Sequence, residues 1–189
     1  CFEYHHRLPE ESLADYAERA ADSLEAEILH AGPENVMAFV AETVVGATTG
    51  AVPPVPGYFK RIREICDRYG VLLILDEVMC GAGRCGTFLA CEQEGIHPDI
   101  VTLAKGLGGG YLPIAAVLCT AEVYRVFAEG SGGFVHGHTY GAHPVACATA
   151  LAVQQVVRDE ALLRNVRAQG QRLMERLTAR FGHHPFSGA

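Results

Sequence analysis

The sequence has no run of basic residues, no apolar stretch long enough to cross a bilayer, and no compact set of paired cysteines. Each shortage removes a class of protein. Its 15 Lys plus Arg stand against 22 Asp plus Glu, a formal net charge of −7. Nowhere do the cations gather into a stripe that could neutralise phosphates, so nucleic acid is excluded as a partner. Apolar runs break off well before the roughly 18 residues that a membrane-spanning helix needs, which excludes a membrane. The seven cysteines are odd in number and scattered, several of them in apolar stretches where Cys behaves as a small hydrophobe. That usage fits a reducing, cytoplasmic home better than a disulfide scaffold. Residues 1–6 carry neither an initiating Met nor a basic-then-apolar leader. Residues 186–189 carry no tail signal, so both ends are expected to be interior to a longer protein. What is present is globular material, 189 residues with 49% hydrophobic and 20% charged. That is too apolar for disorder, and at ~150 residues per domain it makes one domain plus a remainder.

Along the chain, Leu13, Ala17, Ala20, Leu24 and Ile28 recur at helical spacing, with Ser12 as N-cap and Gly32-Pro33 as the stop. Four short apolar runs come after it, at 36–41, 71–75, 100–103 and 115–119. They are too short for buried helices and do not alternate, the pattern of strands covered on both faces of a parallel sheet. Helices are expected at 58–69, 88–94, 144–157 and 162–180, the last amphipathic and heavily charged. Strands alternating with helices predict an α/β fold with a mostly parallel sheet.

Ligands of such sheets bind beyond the carboxyl ends of the strands. Three of those ends carry Glu42, Asp76 and Lys105. Two patterns nearby are decoys. Gly81-Ala82-Gly83-Arg84-Cys85-Gly86 has the glycines of a dinucleotide fingerprint, but Asp76 and Glu77 occupy the strand end where a pyrophosphate would sit. Leu72-Leu73-Ile74-Leu75-Asp76-Glu77 resembles the magnesium-holding strand of an ATPase, yet no Gly-Lys-Ser/Thr loop accompanies it. Lys105 before Gly106-Leu107-Gly108-Gly109-Gly110 suggests other chemistry. A Lys in a desolvated crevice gives up its proton more readily and can condense with a carbonyl. Pyridoxal 5'-phosphate requires that Lys and also an Asp beside its ring nitrogen, which Asp76 could supply. His136, His138 and His143 have spacings that permit a metal, but no carboxylate or Cys stands near them in the sequence, and no metal is expected. Cys80 and Cys85 are read as packing or loop residues, with Arg84 bracing the glycine turn.

Four ordered motifs then carry a family resemblance. They are Ala41-Glu42-Thr43-Val44-Val45-Gly46, Leu75-Asp76-Glu77-Val78-Met79-Cys80-Gly81-Ala82-Gly83-Arg84, Pro98-Asp99-Ile100-Val101-Thr102-Leu103-Ala104-Lys105-Gly106-Leu107-Gly108-Gly109-Gly110, and His136-Gly137-His138-Thr139-Tyr140-Gly141-Ala142-His143-Pro144. Together they resemble the class III (omega) aminotransferases over about residues 36–177.

The resemblance implies an aspartate-aminotransferase-like (fold type I) large domain, incomplete here, over residues 1–157. Residues 158–189 would be a helix leading toward a small C-terminal domain. Lys105 would carry pyridoxal 5'-phosphate covalently and move the proton. Asp76 would pair with the ring nitrogen, Val78 would pack on a ring face, and Glu42 would join the cofactor site. Thr139 would reach the cofactor phosphate of the partner subunit in a homodimer. The implied reaction transfers an amino group from a primary amine or omega-amino acid to a keto acid, with a pyruvate-type acceptor favoured. Alternatives are a non-catalytic remnant or interaction module, another class III activity such as an aminomutase or decarboxylase, or an ATPase fragment. Thr43, Met79 and Ala142 depart from the common Pro, Gln and Gly. Ala47 replaces the Glu of ornithine- and 4-aminobutyrate-type members, and Cys80 resembles the amine:pyruvate branch.

Overall fold

The computed structural model describes residues 6–184. Residues 1–5 and 185–189, on which much of the reading of the two ends rests, lie outside that range. Helix α1 spans Leu13–Ala31 and opens at Ser12, whose hydroxyl accepts from the Asp15 N–H. It ends at Gly32, with φ +82°, and a 3-10 turn over Pro33–Asn35 comes next. Strand β1, Ala38–Glu42, leads through a Pro-rich loop to α2, Tyr58–Tyr69, which closes on Gly70 in the left-handed region. Strand β2, Leu72–Asp76, and strand β3, Ile100–Leu103, form where the apolar runs predict them. Strand β4, Ala116–Cys119, precedes α3, Ala121–Glu129. Helices α4, Pro144–Asp159, and α5, Leu162–Phe181, complete the described chain.

The four strands form one sheet in the order β1-β2-β3-β4. The first three are parallel, and β4 runs antiparallel to β3. Register pairs Glu42 with Asp76 and Asp76 with Thr102, so the carboxyl ends of β1, β2 and β3 are level. That alignment brings the chemistry-bearing residues to one rim.

Three expectations change. The sheet is covered on one face: Leu73 and Leu75 are buried against Phe59, Ile62 and Cys66 of α2 and Ile28 of α1. On the other face Val40 and Val117 stay 62% and 69% exposed, because no described element packs there. Residues 88–94 form no α-helix but a 3-10 turn over Ala90–Glu94; Leu89 in extended conformation and Gly95 in the left-handed region leave room for little more than one turn. Helix α3, capped by the Thr120 hydroxyl accepting from the Val123 N–H, is an addition to the sequence reading.

The thiols of Cys66, Cys80, Cys85, Cys91, Cys119 and Cys147 are all free. Among the described residues no helix is long and apolar enough to cross a membrane.

Candidate active site

At the rim, Asp76 ends β2 with its Oδ1 accepting from the Val78 N–H at 2.9 Å. Its other oxygen takes no hydrogen bond from the described residues. Val78 is half-buried beside it. Lys105 stands just beyond the end of β3 and makes no ion pair among the described residues. An acidic side chain at the end of one strand and a lysine just past the end of the next thus stand without an ion pair between them, an arrangement that suits a group with a ring nitrogen at one end and an aldehyde at the other. Only two lysines occur in the chain, Lys105 and Lys60 on α2, and both are exposed. The desolvated crevice expected around Lys105 is not formed by the described residues, and its place beyond β3 is what sets it apart.

Lys105 also has an unusual backbone. Its φ is +43°, a conformation that costs a residue with a Cβ about 1–3 kcal/mol and persists only where the surroundings enforce it. The 3-10 turn over Lys105–Gly108 then carries the chain away, ending on Gly109 at φ +61°.

Glu42 pairs in register with Asp76, but its carboxylate folds its own loop, accepting from the Gly46 N–H at 2.8 Å and the Thr48 hydroxyl at 3.1 Å. Met79 lies over Gly46, where an added Cβ would collide with its sulfur. Thr139 sits on the exposed loop between α3 and α4, four residues before the His143 N-cap, and no hydrogen bond among the described residues joins it to Asp76 or Lys105. The histidines of that loop take part in an edge-to-face series, Phe127–Phe134–His136–His138, with centroids 5.2 to 5.7 Å apart.

Glu77 has a role beyond the acidic pair noted in the sequence. Strand alternation turns it away from Asp76 into the interior, where it is fully buried. Its carboxylate accepts from the Thr43 hydroxyl at 2.8 Å, the Ala90 N–H at 2.6 Å and the Cys91 N–H at 2.8 Å. One side chain thereby ties the end of β1, the end of β2 and the 3-10 turn together. Thr43, in place of the common Pro, supplies one of those donors.

The glycine loop serves helix packing. Gly83 and Gly86 have φ of +94° and +90°, and a Cβ on them would come within 2.8 Å of Leu163 and 2.6 Å of Arg167, both on α5. The guanidinium of Arg167 donates to the Gly86 carbonyl. Arg167, and not the exposed Arg84, braces this turn through its side chain. Burial pushes the thiols of Cys80 and Cys91 up to about 11 and about 12, which makes both poor nucleophiles. A cavity of about 540 Å³ opens between the loop, the Lys105 turn and helices α4 and α5. Arg84 and Lys105 are its only charged lining residues, its walls are otherwise mostly apolar, and Asp76 and Val78 do not line it.

A mostly parallel sheet with Asp76 at the end of one strand and Lys105 just past the next is the arrangement that the resemblance to fold type I transaminases implies, and comparison with known proteins agrees. The aminotransferase class-III family model matches residues 2–185. The chain belongs to the class III aminotransferases. An aminotransferase of Gibberella zeae is 48% identical over 186 residues, covering 98% of this chain and 36% of its own length. An uncharacterized aminotransferase of Schizosaccharomyces pombe is 50% identical over 188 residues, covering 100% of this chain and 41% of its own length. A thermostable (S)-enantioselective omega-transaminase from Thermomicrobium roseum superposes with a TM-score of 0.92 at 38% identity, over 100% of this chain and 41% of that one. The chain therefore spans about two-fifths of the length of the relatives it matches.

Proposed function

We propose that the protein containing this chain is a pyridoxal 5'-phosphate-dependent aminotransferase. It would move an amino group from a primary amine or omega-amino acid to a keto acid, with pyruvate-type acceptors favoured. The observation that carries the reading is the pair Asp76, at the end of β2, and Lys105, two residues past the end of the neighbouring β3, with no ion pair to either among the described residues. When bound, the cofactor supplies an aldehyde that captures the amine and a protonated ring that stabilises charge.

In this reading Asp76 holds the ring nitrogen protonated with its free oxygen, while the Val78 N–H fixes the carboxylate's orientation. Val78 offers an apolar wall to one ring face. Lys105 carries the cofactor covalently and, once its amine is released, holds and delivers a proton at Nζ. Glu42 contributes through the loop it folds beside Asp76. Thr139 reaches the cofactor phosphate of a partner subunit. A homodimer is supported by the exposed aromatics of that loop, with Phe134 67% and Tyr140 80% exposed. The buried free thiols fit a reducing cytoplasm.

For domain organisation, residues 1–157 form part of the cofactor domain. The segment 158–189 leads toward a small domain, although Leu163 and Arg167 still pack on the glycine loop. Exposed Leu173, Met174 and Leu177 further along α5 support that direction.

The test is borohydride reduction of the complete gene product after incubation with pyridoxal 5'-phosphate, and then peptide mapping. The reading expects one label on Lys105 and none on Lys60, and loss of the long-wavelength absorption in Lys105→Ala. A label on Lys60, or none at all, sinks it and favours a non-catalytic interaction module.

A further inference from the structure

The turn that begins at Lys105 is held from inside by its own backbone bonds, among them the Leu107 N–H to the Ala104 carbonyl at 2.8 Å and the Gly109 N–H to the Gly106 carbonyl at 3.2 Å. It is also held from outside. The half-buried Gln154 on α4 donates from its side-chain amide to the Leu107 carbonyl at 2.9 Å and, at a longer 3.4 Å, to the Gly106 carbonyl. Among the described residues no other side chain hydrogen-bonds to this turn. The neighbouring Val153 closes on Gly109, where an added Cβ would lie 3.2 Å from its Cγ2. Helix α4 thus meets the turn with one directed donor and one branched apolar group.

The left-handed backbone of Lys105 needs such a clamp. A non-glycine residue at φ +43° relaxes toward ordinary conformations unless the surrounding structure holds it. Gln154 holds the carbonyls of the next two residues, Gly106 and Leu107. On the reading of Lys105 as the cofactor-bearing residue, its amine must leave the strand end in one direction and return to the same place as proton carrier. A misplacement of about 1 Å costs such a group on the order of 100-fold in rate.

We propose that Gln154 is a positioning residue for Lys105, acting through the Gly106 and Leu107 carbonyls and touching no reacting atom. Its contribution is to the reactive geometry of Lys105 and not to substrate affinity.

Two variants of the complete gene product loaded with pyridoxal 5'-phosphate test this. Gln154→Glu keeps the shape and turns a carboxylate on the two carbonyls. Gln154→Met keeps the length and removes the donor. Borohydride labelling of Lys105 should persist in both. The rate of amine consumption at saturating amine should fall about 10- to 100-fold, with KM changed by less than about threefold. The pH midpoint of the long-wavelength absorption, a signature of the Lys105 environment, should shift. Wild-type rate and midpoint in Gln154→Met overturn the proposal, and that variant decides the matter even where Gln154→Glu fails to fold. Failure of the unsubstituted protein to label at Lys105 is a separate result that removes the underlying reading, and the proposal with it.

Discussion

Two adjacent acids, Asp76 and Glu77, take opposite fates because a strand turns successive side chains to opposite faces. Asp76 keeps an oxygen open at the rim, whereas Glu77 is sealed inside with three donors aimed at it. The pattern Leu73, Leu75, Glu77 carried that information, since every second residue from Leu73 points inward. What no periodicity could show is the destination of the carboxylate, because Ala90 and Cys91 lie 13 and 14 residues further on in a turn. Gln154 was hidden for the same reason, 47 residues from the carbonyl it serves and on a helix read only for its apolar pattern. Replacing Glu77 by Gln turns an NH2 group toward at least one of the three donors. The expected loss is about 1–3 kcal/mol of stability, read as a lower midpoint in chemical denaturation of the complete gene product. An unchanged midpoint would show that the carboxylate staples nothing.

At the scale of elements, strands β1 to β3 were legible as short apolar runs, and their ends were marked by Glu42, Asp76 and the segment before Lys105. The direction of β4 was not legible. Its orientation depends on how the chain reverses between Gly108 and Ile114, and a Cβ on Gly108 would come within 2.7 Å of Ile114. Helix α3 was missed in the sequence, and its apolar stripe is little covered: Phe127 meets Phe134 edge-to-face, yet Val126 stays 66% and Phe127 43% exposed. The glycine loop was rightly set aside as a dinucleotide site, but the residue that braces it is Arg167 on α5 and not Arg84. The loop's glycines let α5 approach. Gly86→Ala should therefore destabilise the junction through a strained positive φ and a collision with the Arg167 stem. A loss of about 1–3 kcal/mol is expected, visible in thermal melts. The control Gly50→Ala also has a positive φ, +87°, but no atom within 4 Å of an added Cβ. Equal losses in the two variants would remove the packing argument.

For the molecule as a whole, the family and the α/β class were readable because four motifs kept their order across most of the chain. One-sided coverage of the sheet was not, since apolar runs without alternation look alike whether the second face meets another part of the protein or lies open. The thiols offer a measurement of that interior. Burial raises Cys66 to about 11, Cys80 to about 11 and Cys91 to about 12. At pH 8 each is then about one part in a thousand thiolate or less. Maleimide or iodoacetamide should leave these three unmodified by mass spectrometry in the native protein and modify them after denaturation. Rapid native modification would mean that the covered face is not closed.

The face carrying Val40 and Val117 has a further consequence for anyone handling the segment by itself. Strands β1 and β4 are the outer strands of the described sheet, so each offers a row of unpaired backbone groups next to that bare apolar surface. Open sheet edges beside exposed apolar side chains pair readily with other chains. The 189-residue segment expressed by itself is therefore expected to self-associate, which light scattering would read.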